Sequence, residues 1–143
     1  MTVYTIGFTK RSAEDFFGTI ARSGARRLVD VRLSNSSQLA GFSKRDDLRY
    51  FLKAICGMEY VHFPDLAPTQ ELLDEYRSTK DWLAYEARFR ALMAERALEN
   101  TVRREEIDGA CLLCSEPRPD RCHRRLVAEY LQEKWGSIEI VHL

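Results

Sequence analysis

At 143 residues, 45% of them hydrophobic, the chain is sized for one domain and carries enough apolar material to fill one core. Its 22 Lys and Arg balance 22 Asp and Glu, so no global field holds a nucleic acid or an anionic membrane; nucleic acid is not excluded, but it would need a local basic patch. The opening residues lack the pattern of a signal peptide, and no apolar run approaches the roughly 20 residues that span a bilayer. These features predict a cytoplasmic, non-membrane protein with one domain over 1–143. Cys56, Cys111, Cys114 and Cys122 are then expected to stay reduced, as thiols or metal ligands.

Thr2 to Ile6 reads as a strand closed by Gly7. Ser12 starts a helix whose apolar face is Ala13, Phe16, Phe17, Ile20 and Ala21, and Gly24 stops it. Leu28 to Val31 is a second buried strand, followed by a polar, glycine-marked loop over 32–42 that has the composition of a lid. Phe42, at its end, either closes on a ligand or anchors the loop to the core. Ser43 is placed to cap a second helix with Leu48, Phe51, Leu52, Ile55 and Cys56 on its apolar face, ended by Gly57. Met58 to Phe63 forms a third strand, and Pro68 opens a helix through Leu72, Leu73 and Tyr76.

The longest helix is predicted over Asp81 to Leu98, with Trp82, Tyr85, Phe89, Leu92 and Met93 in register. The charged segment Thr101 to Asp108 leads to a fourth strand at Ala110 to Cys114. A last helix starts near Cys122 and buries Leu126, Val127, Tyr130 and Leu131, before Gly136 turns the chain into a strand at Ile138 to His142. Strands alternating with helices predict an α/β fold, a three-layer α/β/α sandwich around a mainly parallel sheet of about five strands. Ligands of such sheets bind beyond the carboxyl ends of the strands, which collects Thr9, Lys10, Asp30, Arg32, His62, Asp65, Cys114, Ser115 and Glu116 on one edge.

The segments Tyr4 to Gly7, Val29 to Arg32, Gly41-Phe42, Tyr60 to Pro64, Leu113 to Glu116, Cys122 to Arg124 and Val141-His142 together resemble the family catalogued as domain of unknown function 488. The resemblance covers nearly the whole chain and implies an α/β fold with emphasis on Cys114, Glu116, Cys122, His123 and Arg124. It does not imply a reaction. Members usually carry histidine after the first-strand glycine, where this chain has Phe8, so the resemblance implies that any chemistry resting on that histidine is lost or altered here.

The densest chemistry lies between Gly109 and Leu126, which holds three of the four cysteines and one of the three histidines. A helix opening at Cys122-His123-Arg124-Arg125 offers unpaired N–H groups and a positive dipole end to an anion, and Arg32, Arg121 and Arg124 would add bidentate donors. Lys10, His62 and Ser115 join them as ligand-binding candidates. The bland alternative is that these arginines are solvated or paired with Glu116, Asp120 and Glu129. Cys122 at that helix start, beside arginine, has the setting of a reactive thiol, with His123 to move its proton and Cys114 as a second sulfur; the competing reading is buried structural thiols. Glu116 is either a base or nucleophile, or the partner of an arginine.

A zinc knuckle on Cys111 and Cys114 is not expected, because residues three apart on a strand face opposite ways, and adjacent Cys122 and His123 diverge within a helix. A looser site on Cys114, Cys122 and His62 or His123 would need the fold to assemble it, and no metal ligand is assigned. No dinucleotide fingerprint or Walker motif is present, and the cofactor stays unknown. The sequence therefore predicts an anionic small molecule, phosphorylated or nucleotide-like, bound at the sheet edge with thiol or carboxylate chemistry; the alternatives are a redox- or metal-sensing binding domain and a nucleic-acid processing accessory protein.

Overall fold

Five short apolar runs, β1 (Thr2–Gly7), β2 (Arg27–Asp30), β3 (Glu59–His62), β4 (Ala110–Cys114) and β5 (Glu139–His142), pair in parallel in the order β3-β2-β4-β1-β5. The structure is a computed structural model and describes residues 1–36, 41–116 and 118–143. Alternate residues of each strand face opposite ways, so the sheet builds a core on each side. Ile6, Leu28, Cys111 and Leu113 pack on one side against α1 (Ala13–Ser23) and α2 (Arg45–Phe51). Val3, Val29, Leu112 and Cys114 pack on the other against α3 (Gln70–Thr79), α4 (Trp82–Arg96), the short α5 (Leu98–Thr101) and α6 (Arg104–Ile107), and α7 (His123–Trp135). The fold is the expected three-layer α/β/α sandwich. Among the described residues, no helix is long and apolar enough to cross a membrane.

Local sequence explains most of these boundaries. The Ser12 hydroxyl accepts from the Asp15 N–H at the start of α1, and Gly24 ends the helix at φ 87°. Thr69 and Asp81 cap α3 and α4 in the same way, so α3 begins two residues after Pro68. Three expectations are corrected. Ser43 lies in a single 3-10 turn, and α2 starts at Arg45 with no side-chain cap. A π turn over Leu52–Cys56 widens the end of α2, and the changed register rotates Ile55 out to 56% exposure instead of into the core. Ala13 and Ala21 are exposed at the edges of a face carried by Phe16, Phe17 and Ile20.

Topology decides where a site forms. The chain leaves β1 and β2 toward the α1–α2 layer but leaves β4, which lies between them, toward the opposite layer through α7. Neighbouring strands whose connections depart to opposite faces open a crevice at their carboxyl ends. Cys114 ends β4 in that crevice. Of the loop Ser34 to Phe42 expected as a lid, residues 37–40 lie outside the described residues. Phe42 packs 5.3 Å from the Phe16 ring and 5.7 Å from that of Phe17, as an anchor to the α1 layer.

Cys111 is fully buried on the side opposite Cys114, and burial pushes its thiol from 9.0 up to about 12. A thiol whose pKa is higher folded than unfolded favours the native state below the unfolded value, and that contribution is lost as pH rises through the folded one. Urea unfolding between pH 8 and pH 11 should therefore show stability falling as pH climbs past about 9, with a shallower fall in Cys111→Ala than in the parent.

Candidate active site

The loop between β4 and α7 must turn from the sheet edge into a helix, and Cys122 makes that turn. It is the N-cap of α7 in extended conformation, φ −137° and ψ 139°, while His123 is the first helical residue. Adjacent side chains diverge inside a helix, but an extended residue followed by a helical one can aim both the same way. The expectation of divergence is overturned for that reason: Cys114, Cys122 and His123 converge, with their sulfur and ring-nitrogen atoms within 4.8 Å of one another. All three are buried, yet all line one cleft.

The His123 ring is held on three sides. Its Nε2 lies 2.5 Å from the Val31 carbonyl oxygen, beyond the end of β2, and its Nδ1 lies 3.3 Å from Cys114 Sγ. Phe89 of α4 meets its face edge-on at 5.6 Å. A carbonyl only accepts, so Nε2 carries a proton and Nδ1 is the ring nitrogen turned to the Cys114 sulfur. Burial alone would raise the Cys114 thiol, but hydrogen bonds from the Cys122 thiol and the Ser115 backbone, with the Arg124 charge, outweigh it and leave Cys114 below the ordinary thiol value. Burial pushes Cys122 well above that value, and its donation to Cys114 adds to the rise. Of the two sulfurs, Cys114 is thus the one whose ionised form the surroundings favour, and Cys122 is its donor.

Beside this pair stands a buried ion pair. Asp30 is fully buried; its Oδ1 accepts from the Arg32 backbone N–H at 3.0 Å and from Nε at 2.9 Å, and its Oδ2 from Nη2 at 2.8 Å and from the Tyr60 hydroxyl at 2.6 Å. Nη2 also donates to the Ser43 carbonyl. Burial works against the Arg32 charge, but Asp30 more than compensates and its pKa is raised. The Arg32 Nη1 group is buried with no partner among the described residues, and Arg32 lines the cleft.

The cleft encloses about 420 Å³ between the sheet edge, α3, α4 and the start of α7. Tyr76, Trp82 and Tyr85 form one wall, with Trp82 and Tyr85 stacked at 5.2 Å. Ser115, Glu116 and Arg121 complete the rim, where Glu116 and Arg121 are exposed. The arrangement places a thiol, an imidazole and an arginine around one space.

A family model, domain of unknown function DUF488, matches residues 12–131. The chain belongs to the DUF488 family. No curated protein and no solved structure matches it.

Within this DUF488 chain the anticipated residues divide into two groups. Arg32, Cys114, Ser115, Glu116, Arg121, Cys122 and His123 meet at the cleft, while Lys10, His62 and Arg124 do not line it. Lys10 is exposed after β1, and His62 binds the Arg32 carbonyl through Nε2 at 2.8 Å. Arg124, fully buried at the second position of α7, donates Nη1 to the Glu116 carbonyl. A Cβ on Gly7 would meet that carbonyl oxygen, so only glycine lets the loop close over the end of β1. Phe8 is buried in the α1-side core with the Arg32 guanidinium 5.3 Å from its ring centre. Sequence reading missed the Tyr60 and Asn35 support of Asp30 and the aromatic wall. Both look like ordinary core until the layers are packed.

Removing the carboxylate leaves Arg32 charged, buried and unmatched, so Asp30→Ala should cost about 3–5 kcal/mol in urea unfolding. The double variant Asp30→Ala/Arg32→Met should recover much of that loss, because no buried charge remains.

Proposed function

We propose that this protein is an enzyme acting on a phosphorylated or nucleotide-like anion held in the cleft, with Cys114 as the attacking group and His123 as its base. The observation that carries the reading is that Arg32, whose buried Nη1 has no partner among the described residues, lines the same cleft as the Cys114–His123 pair. A buried donor without an acceptor costs free energy, and an anionic ligand offsets that cost on binding. The positive end of α7, whose first residue is His123, favours the same charge. Tyr76, Trp82 and Tyr85 supply flat apolar surface for a planar ring.

In this reading His123 Nδ1 accepts the thiol proton as sulfur attacks phosphorus, and the S–P bond forms as the P–O bond to the leaving group breaks. The imidazolium, stabilised by the Val31 carbonyl through Nε2–H, returns the proton to the leaving oxygen. Glu116 and Arg121 at the rim meet the polar end of the ligand. Nothing observed favours a nucleic-acid role over this one.

The test pairs binding with labelling. Pyrophosphate or ADP at about 100 times Kd should raise the unfolding midpoint by about 5–10 °C, and Arg32→Lys should abolish the ligand-dependent rise whatever its own baseline. Iodoacetamide at neutral pH should modify Cys114 before the more exposed Cys56, as read by peptide mapping, and the anion should slow it. No anion-dependent rise, together with Cys56 labelled first, would remove this reading.

A further inference from the structure

The three converging side chains are also a metal-ligand set. Two thiols and an imidazole are the donors that zinc and similar soft divalent cations select over calcium or magnesium. Zinc bonds of about 2.3 Å to sulfur and about 2.0 Å to nitrogen, at tetrahedral angles, place sulfur about 3.6 Å from nitrogen and two sulfurs about 3.8 Å apart. The observed 3.3 Å from Cys114 Sγ to His123 Nδ1, and the 4.8 Å limit over all three atoms, bracket those spacings.

The second shell fits as well. Ligating histidines commonly donate their other ring N–H to a carbonyl or carboxylate, and His123 Nε2 does so to Val31. The donor nitrogen is therefore Nδ1. The Ser115 backbone N–H supports Cys114. Two thiolates balance a divalent charge, so loading leaves no net charge in a buried spot. Cys111, on the other face of β4, takes no part.

We propose that Cys114 Sγ, Cys122 Sγ and His123 Nδ1 bind one zinc-class divalent cation, with the remaining coordination position filled from the cleft by water or an anion. Three protein ligands and one exchangeable position make this a reactive or regulatory metal site rather than a closed structural one. Binding releases the two thiol protons to solvent as two metal–sulfur bonds form. The site rests on the placement of three side chains and stands whether or not Cys114 is the attacking group. Where both hold, the metal ties up the Cys114 lone pair and switches off its attack.

The full-length protein, reduced, freed of metal with a chelator and kept anaerobic, is titrated with cobalt(II). One equivalent should give thiolate-to-metal charge-transfer absorption and intense tetrahedral d–d bands, bleached by one equivalent of zinc. Cys122→Ser should weaken binding more than about 100-fold, beyond the loss typical of an outer-shell partner, while Cys56→Ser leaves it unchanged. Zinc should also protect Cys114 and Cys122, but not Cys56, from alkylation in the unsubstituted protein, which covers the case of a variant that does not fold. A weak octahedral spectrum, binding indifferent to Cys122→Ser, or no zinc protection of Cys114 and Cys122 would overturn the site. Labelling of Cys114 in the metal-free sample reads the thiol proposal separately, so either idea can fail alone.

Discussion

A peptide carbonyl has no proton to give, and that fact organises the functional edge of this protein. The Val31 oxygen holds a proton of His123 on Nε2, and the ring so oriented turns Nδ1 toward Cys114. The contact joins the end of β2 to the first residue of α7 across the end of β4. It exists because β4 lies between two strands whose chains leave to the opposite face, so that α7 begins directly over the crevice. A nucleophilic thiol and a metal-bound one both depend on this one orientation, since each needs a basic nitrogen held at Nδ1.

The charge beside it is managed differently. Arg32 is too buried to be stable alone, and Asp30 is placed to neutralise it through paired hydrogen bonds braced by Tyr60. Such pairs rarely add much to stability, because taking both charges out of water costs about as much as their attraction returns. Here the pair leaves one donor group, Nη1, without a partner among the described residues, on an arginine that lines the cleft. Arg124 also keeps buried groups without a partner among the described residues, Nε and Nη2, but it does not line the cleft, and its Nη1 braces the Glu116 carbonyl where Gly7 leaves room.

Much of the fold was legible in the residues themselves. Hydrophobic runs of strand length, Ser12 as a helix start, and Gly24 and Gly57 as stops are local signals, and local signals set element boundaries. Pro68, the expected opener of α3, stands just outside that helix, which Thr69 caps. The opposite facing of Cys111 and Cys114 follows from strand periodicity alone, and the two sulfurs do lie in different layers. Where the local pattern was ambiguous, packing intervened: the π turn at Leu52–Cys56 exposed Ile55, which a regular helix would have buried.

The sequence by itself determined the layer architecture, the presence of a cysteine-rich turn at the end of a central strand, and the family. Tertiary structure decided which of those residues meet. Strand order placed Val31 beside β4, the extended backbone at Cys122 brought two adjacent side chains together, and helix packing sent Arg124 inward while leaving Arg32 on the cleft. Periodicity reports which way a side chain leaves its own element. It carries nothing about which neighbour the element will find, because that depends on contacts between segments far apart in the chain, 92 residues for Val31 and His123.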